Sequence, residues 1–496
     1  MQKTARLVVL FFLLAPVLSC RKDTLTLDTS DKIAFSTNSV LFDTVFTTIG
    51  STTKYFMIYN NHANAIKISS IRLGAGSSSQ YRINVDGVPA TSFSDITIKG
   101  KDSLFVFVAV TVNPNLLNNP FVLKDSVVFT TNGNVQSVLL EAWGQNAYYY
   151  YPNPNYVLTF SDGTFVNYSI ISCNAGNTTW SNDKPHVIYG YAVVDSGCTL
   201  TIGPGTGVYL HNGAVLMVYK GGSLVINGGG CSSGPTNPVT FQGDRLEADY
   251  KDIPGQWGQI WLTGGSVNNS ISYAVIKNAI IGVEADTIGN ANPTLVISHT
   301  IIKNMTGAAI YGQGATINGD NCVFANCQQY CGLFSIGGTY NFNQCTFADY
   351  WNGTPQRTTP ALLINNWYTA ANGTSYQRSI VSAYFGNCII YGNLSGEIGL
   401  DSSLTINNFN KFNYMFDHCV LLADGTYNSL NPNHNDSIIE NLDPLFKNPT
   451  INDYTIAAGS SAINKGSIPV ETLFPVDLNC RNRISDGKRD IGAYEH

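Results

Sequence analysis

Six short segments between Ser272 and Ala423 repeat one pattern. They read S-Y-A-V-I-K-N, S-H-T-I-I-K-N, D-N-C-V-F-A-N, N-Q-C-T-F-A-D, G-N-C-I-I-Y-G and D-H-C-V-L-L-A. Aligned, they place Ala274, Thr300, Cys322, Cys345, Cys388 and Cys419 in one column, at intervals of 26, 22, 23, 43 and 31 residues. Self-similarity at a period of roughly 20–30 residues marks a solenoid, in which each repeat buries its apolar face only by stacking on its neighbours. The 43-residue interval fits two coils.

Each coil of such a stack supplies short strands that lie about 4.8 Å from those of the next coil. Alternate residues point inward. The column holds Ala, Thr and Cys, all small, so its cysteines read as inward core thiols, although neighbouring coils bring sulfurs close enough for an oxidised pair. Four positions further on stand Asn278, Asn304, Asn326, Asp349 and Gly392. These types tolerate left-handed backbone best, which predicts that the bend between sheets falls there. Stacked Asn side chains also hydrogen-bond along a solenoid axis.

Ahead of the repeats the pattern differs. Alternating apolar runs at Val40–Phe46, Lys54–Tyr59, Ala65–Leu73, Leu104–Val112, Ser126–Thr131 and Val135–Ala142 are punctuated by Asn60-Asn61, Gly74-Ala75-Gly76, Asp86-Gly87 and Asn132-Gly133. Asn132-Gly133 between two apolar runs signals a hairpin. Short strands at this density predict an antiparallel sandwich over residues 31–146. The segment D-T-V-F-T-T-I-G-S-T-T-K-Y-F-M-I-Y-N-N followed by I-K-I-S-S-I-R-L resembles bacterial Ig-like domains of the major-sperm-protein type, which implies a spacer or docking module. Residues 147–186, with Tyr148–Tyr151 and Pro152-Asn153-Pro154, read as a linker and N-terminal cap. The tyrosines there serve either packing or a carbohydrate platform.

From Val187 the run T-L-T-I-G-P-G-T-G-V-Y-L-H-N-G-A-V-L-M-V-Y-K-G-G-S-L-V-I-N-G resembles the first coils of right-handed parallel β-helices of the pectate-lyase-like superfamily, which implies that fold over residues 187–440. Residues 441–496 carry Asp443-Pro444-Leu445-Phe446, Gly459-Ser460-Ser461-Ala462-Ile463-Asn464-Lys465-Gly466 and Asp490-Ile491-Gly492-Ala493-Tyr494-Glu495. They resemble the terminal segment of bacterial surface β-helix proteins with D-P-x-F and D-I-G-A-Y-E, although Asn464 replaces the usual Asp. The resemblance implies a cap over the open end of the stack, tied by Arg489 and Asp490, with Asp477 and Asp486 as a further cation candidate. The expected fold class is all-β: an N-terminal Ig-like sandwich, a right-handed parallel β-helix and a C-terminal cap.

The N-terminus reads as an address. Lys3 and Arg6 precede the apolar stretch Leu7–Leu14, and Val17-Leu18-Ser19-Cys20 follows. That tetrapeptide resembles the lipobox of bacterial lipoproteins, which implies cleavage of residues 1–19 and lipid on Cys20; a plain secretory signal with a chance cysteine is the other reading. Arg21 and Lys22 follow the cysteine instead of the Asp associated with inner-membrane retention, so outer-membrane attachment is expected. Residues 20–30 form a tether, and the lipid is the expected membrane anchor. Net charge is −6, and loss of Lys3 and Arg6 takes it to −8. Without a dense Lys/Arg run, a nucleic-acid partner is not expected.

Chemistry is less legible. Cys173, Cys198, Cys231 and Cys480 are candidates for disulfides whose connectivity is not readable. Cys322, Cys327 and Cys331 are closely spaced but have no His among them, which argues against zinc. The densest charged segment is Asp244–Asp252. Polysaccharide lyases on this fold combine acidic Ca²⁺ ligands with a Lys or Arg base, which makes Asp249 and Lys251 catalytic candidates, and Glu284 and Asp286, which follow the Asn278 turn, are candidates to add to a groove; the other reading is a solvated connection between coils. Lys277 and Lys303 stand at equivalent positions in successive repeats. The N-T-D, D-D, G-H-G and R-I-K signatures of polygalacturonase-type hydrolases are absent, and no close carboxylate pair declares itself. No resident cofactor is expected outside the lyase reading, which calls for Ca²⁺.

The leading expectation is a lipid-anchored envelope protein, non-catalytic, whose β-helix binds a glycan or another envelope protein. Trp257, Trp261, Trp351, Trp367 and Tyr368 are the candidate contacts. The alternatives are a polysaccharide lyase or glycoside hydrolase acting on a surface glycan, and an accessory subunit of an outer-membrane assembly.

Overall fold

The computed structural model describes residues 24–47, 50–113, 121–160, 162–231, 236–286, 294–369, 373–403, 411–467, 474–484 and 487–496. Cys20 and Asp486 lie outside them. The described residues contain β-strands and three short 3₁₀ turns, with no α-helix. Among the described residues, no helix is long and apolar enough to cross a membrane. The chain divides into two compact units, residues 1–146 and 147–496.

The first unit holds a six-stranded and a five-stranded sheet. Their inward residues, among them Phe42, Phe56, Ile68, Val108, Phe129 and Leu140, form one buried cluster. Strands occur at Ser39–Phe46, Lys54–Tyr59, Ala65–Leu73, Ser103–Val110, Phe121–Thr131 and Asn134–Gln145. Asn132 and Gly133 both have positive φ (49° and 77°) and close the Phe121–Gln145 hairpin, in which Thr131 pairs with Asn134. Asp86 and Gly87 do the same for Tyr81–Val85 and Val88–Ala90. The five-stranded sheet is antiparallel throughout, whereas the six-stranded sheet has two parallel pairings, in one of which Ser39–Phe46 runs parallel to Asn134–Gln145. Leu25–Thr26, expected in the tether, pairs parallel with Ala65–Ile66.

The second unit is built from three long, essentially parallel sheets. Sheet I has eleven strands, from Tyr148–Tyr150 to Ile439–Glu440. Sheet II has ten, from Asn153–Thr159 to Ile398–Asp401, and sheet III ten, from Asn177–Trp180 to Asn435–Asp436. The chain visits I, II and III in turn and then returns to I, so the sheets surround one apolar core. This is the arrangement of a β-helix solenoid. Residues 147–186 are not a separate linker: they supply the first strands of all three sheets. Their tyrosines form ring stacks, Tyr149 on Tyr151, Tyr151 on Tyr189 and Tyr150 on Trp180.

The repeat column lies in register. Val275, Ile301, Val323, Thr346, Ile389 and Val420, each one residue after the column, pair in succession along sheet I. Cys322, Cys345, Cys388 and Cys419 are fully buried and free. Two expectations are corrected. The 43-residue interval is one coil, because the strand Thr346–Asp349 pairs directly with Ile389–Gly392; the excess lies in residues 350–361 and in the hairpin Trp367–Thr369/Ser375–Gln377. The left-handed bend is found at the expected position in three coils only, and a second one, not expected, precedes the inward column. Tyr273, His299, Asn321, Gln344, Asn387 and His418, each one residue before the column, have φ between 44° and 53°. A single residue turns the chain from sheet III into sheet I, and only φ > 0 folds it that sharply. Asn278, Asn304 and Asn326 are left-handed too, whereas Asp349 and Gly392 are not.

The C-terminal segment lies along the side of sheet I, not over the end of the stack. Phe446, Tyr454, Ile456, Ala462, Leu478, Ile491 and Ala493 pack on the outward residues Val323, Ala325, Ala348, Ile389 and Val420. Gly492 N–H donates to Asn387 O (2.9 Å), and Arg483 Nη2 donates to Asn321 Oδ1 (2.6 Å). Except for Thr346, which accepts from Ala493 N–H at its Oγ1 (3.1 Å), the outward residues of sheet I under this segment are apolar, so leaving them wet would forfeit about 25 cal/mol per Å². Arg489 and Asp490 are buried within this strap, Asp490 Oδ1 accepting from Asn464 N–H (2.8 Å). Cys173, Cys198, Cys231 and Cys480 pair as Cys173–Cys198 and Cys231–Cys480, while Cys327 and Cys331 are free and buried.

Candidate functional site

Chemistry-bearing side chains gather on the outward face of sheet II. Ile260, Leu262, Val283, Ala285, Ile310, Phe334, Leu362 and Ile364 point into the core, fully buried. The residues between them must therefore face outward. Register places Trp261, Glu284, Tyr311 and Leu333 in one outward column. Two residues along each strand, Asp286, Gln313, Ser335, Asn365 and Asp401 form a polar column beside it.

Glu284 is the most perturbed group here. Gln259 Nε2 donates to its Oε2 (2.6 Å). Burial, reinforced by the neighbouring Asp286, pushes its carboxyl up to about 7. Asp286 accepts from Trp261 Nε1 at Oδ2 (3.2 Å), while its buried Oδ1 has no hydrogen-bond partner. Burial raises its pKa as well. Phe160 stacks on Trp261, with centroids 5.9 Å apart. Tyr311 is held up to about 12 by burial and by the two carboxylates. The hairpin that lengthens the long coil adds Trp367, whose Nε1 donates to Asp401 Oδ1 (3.0 Å), and the stacked pair Tyr368–Tyr376. Aromatic faces interleaved with carboxylates and amides can stack on sugar rings and bind hydroxyls. A carboxyl poised near 7 beside a second carboxylate can move a proton.

The sequence candidates thus separate. Glu284, Trp367 and Tyr368 belong to this face, together with Trp261. Trp351 does not: it is 8% exposed and donates to Pro355 O (3.0 Å). It adjoins a buried ion cluster in which Arg357 grips Glu397 through two 2.6 Å bonds, with Asp349 3.6 Å from Arg357 Nε. Trp257 is fully buried and donates to Lys277 O (2.9 Å). Both indoles fill packing positions that composition alone does not distinguish from surface ones. Asp286 was expected beside Glu284, whereas Tyr311 and Gln259 were missed; a strict alternation count from the buried Ile260 and Val283 would have placed them outward.

The charged segment does not assemble a lyase-like centre. Asp244 pairs with His211 (2.8 Å) and Glu247 with Arg245 (3.1 Å). Asp249 is exposed on the 3₁₀ turn Ala248–Tyr250. Lys251 and Asp252 face sheet I instead. Among the described residues, the group of three ligand atoms close enough to share an ion is Asp417, His418 and Asp436, within 4.8 Å of one another. Ca²⁺ takes six to eight oxygens. This set offers one nitrogen, and Asp417 is already engaged by His418 (2.6 Å) and Tyr384 (2.5 Å). It does not fit Ca²⁺.

No family model matches the chain, and no curated protein matches it. Among solved structures it is similar to the ASH/PapD-like domain 7 of human CEP192, at 9% identity over 25% of this chain and 91% of that one, TM-score 0.17. It is similar to the E. coli chaperone DraB, at 9% identity over 23% and 55%, TM-score 0.17. A family 123 glycoside hydrolase from Clostridium perfringens matches at 10% identity over 22% and 23%, TM-score 0.17. The chain thus spans about a quarter of the hydrolase's length and about half of the chaperone's. At these TM-scores the likenesses assign neither fold nor function to the chain.

Proposed function

We propose that this chain is a lipid-anchored protein of the cell envelope whose right-handed parallel β-helix binds a glycan along sheet II, without cleaving it. The observation that carries the reading is the in-register face of Trp261, Glu284 and Tyr311 beside Asp286, Gln313, Ser335, Asn365 and Asp401. Protein-binding faces lose charge at their centres, whereas this one mixes rings with carboxylates and amides. The Ig-like unit acts as a spacer behind the lipid on Cys20, at the outer membrane, and nucleic acid is not a partner. The test is retardation of the mature protein in gels containing soluble glycans. Trp261→Ala, Tyr311→Ala and Tyr368→Ala each weaken binding about tenfold, the equivalent of about 1.4 kcal/mol. Undiminished binding by all three overturns the reading. Cys20→Ser moves the protein out of the membrane fraction.

One observation favours a hydrolase as the second reading: Glu284 at about 7 beside Asp286 has the division of labour of a glycosidase acid and its partner carboxylate. Release of reducing ends from any of a panel of acidic and neutral glycans, abolished in Glu284→Gln, replaces the binding reading with the enzymatic one.

A further inference from the structure

The sheet I face is covered by the strap only in its later coils. In the earlier coils it is the floor of a cleft of about 720 Å³, walled by the Lys251–Asp252 loop on one side and by Thr450–Asn452 of the strap on the other. That volume lies in the range of small-molecule sites. Lys277 and Lys303 rise from this floor in register on adjacent parallel strands, which puts their backbones about 4.8 Å apart.

The cleft is chemically specific. Three ammonium groups, Lys251, Lys277 and Lys303, meet one carboxylate, Asp252, which leaves a net charge of +2. Among the described residues, none of the three lysines has a carboxylate within ion-pair distance, and the Lys303 ammonium, unlike its backbone carbonyl, has no hydrogen-bond partner. Lys277 donates to Lys251 O (3.1 Å). Asp252 is drawn toward the amide ladder, accepting from Asn304 Nδ2 (3.3 Å). Nearby Arg245 is already neutralised by Glu247. The ladder runs Asn326 to Asn304 (2.8 Å) and Asn304 to Asn278 (3.3 Å), and Asn452 of the strap joins it at Asn304 Oδ1 (3.2 Å). Burial lowers the pKa of both Lys277 and Lys303, and Lys303 adds to the effect on Lys277. Two like charges held together and half-desolvated are relieved by a bound anion.

We propose that this cleft is a second binding site, for a phosphorylated sugar, with the phosphate monoester seated between Lys277 and Lys303 and the sugar along the amide ladder. A phosphate monoester carries close to two negative charges at neutral pH, matching the +2 of the cleft. Sulfate and carboxylate esters of sugars carry one or none. Lysines act as point charges on a tetrahedral oxyanion, and the amides and Thr240 or Thr450 hydroxyls suit sugar hydroxyls. The site lies on sheet I and stands or falls independently of the sheet II face.

The test is calorimetric titration of the mature protein with glucose 6-phosphate, inorganic phosphate, glucose 6-sulfate, glucuronate and glucose. Glucose 6-phosphate is expected to bind tightest, inorganic phosphate more weakly, and glucose not at all. Lys303→Gln and Lys277→Gln each weaken the sugar phosphate at least tenfold, while Lys220→Gln and the Trp261→Ala variant of sheet II leave it unchanged. Circular dichroism and unfolding midpoints confirm that the two cleft variants are folded. Equal binding by wild type and both lysine variants overturns the site. Tighter binding of the sulfate or glucuronate overturns the choice of anion, and binding of inorganic phosphate without the sugar phosphate overturns the sugar.

Discussion

Cys231 and Cys480 are joined across 249 residues of chain, their Cα atoms 5.4 Å apart. Cys231 sits in an early coil, just after the strand Ser223–Asn227 of sheet III; Cys480 belongs to the strap, which otherwise packs on coils much nearer the C-terminus. The bond therefore pins the strap along the length of the solenoid. Closing a loop of this size restricts the unfolded chain by up to about 5 kcal/mol in the entropic model. Cys480→Ser is expected to lower the unfolding midpoint and expose the strap to proteolysis, read as early loss of a C-terminal fragment. Equal protease resistance of wild type and variant would contradict the pinning role.

The Arg357–Glu397 pair predicts asymmetric mutant energetics. Both side chains are buried, and Glu397 also accepts from Ala361 and Leu394 N–H groups (2.8 and 2.9 Å). Removing one partner strands a charge and costs about 3–5 kcal/mol, whereas replacing both with apolar residues is often near neutral. Arg357→Met alone is expected to destabilise strongly in urea, and Arg357→Met/Glu397→Met to recover much of the loss. Additive losses in the double variant would argue against an ion pair at this site.

Glu284 gives stability a definite pH dependence. Its folded pKa, about 7, lies above the ordinary 4.5. Protons therefore favour the folded state: this contribution is full below about 4.5 and is lost as pH rises through 7. Glu284→Gln removes the loss. The variant is expected to match wild type at pH 5 and to exceed it at pH 8.5 by on the order of 2 kcal/mol, measured as thermal midpoints at both pH values. A variant less stable at pH 8.5 would contradict the assignment.

The six thiols Cys322, Cys327, Cys331, Cys345, Cys388 and Cys419 are free and buried. Burial raises the pKa of Cys322, Cys331 and Cys388, which disfavours the reactive thiolate. Iodoacetamide is expected to leave all six unmodified in the native protein and to label all six in guanidinium without reductant, read by intact mass. Cys345→Ser should cost about 1–3 kcal/mol through a poorly satisfied buried hydroxyl, and Cys345→Ala less. Native-state labelling would show that the column is not core.

The repeat made much of the second unit legible. The column Ala274 to Cys419 is inward and in register because a solenoid demands a small, dry residue at the same place in every coil. Residue type located the bend at Asn278, Asn304 and Asn326 but missed the second one, just before the column. Tyr273, His299 and Gln344 hold φ > 0 despite their types, since the stacking of neighbouring coils imposes the turn and local propensity does not choose it. The 43-residue interval misled for a related reason: spacing counts residues, whereas pairing counts strands, and an inserted hairpin adds the first without the second.

The site was legible only in parts. Glu284, Trp367 and Tyr368 are distinctive residues, but nothing local distinguishes outward Trp261 from buried Trp257 or Trp351. The Lys277–Lys303 pair follows from the repeat, while the cleft around it needs a strap whose contact with Asn304 joins residues 148 apart in the chain.

By itself, then, the sequence determined the all-β character, the stacked repeat with its dry thiol column and the hairpin turns, because these rest on period, size and local backbone preference. Only the tertiary structure decided where the C-terminal segment lies, which cysteines pair, which aromatics reach solvent and which carboxylates meet. Those are outcomes of long-range packing: residues far apart in the chain become neighbours when apolar surface must be covered, and no local pattern encodes which surface is left for the last segment to cover.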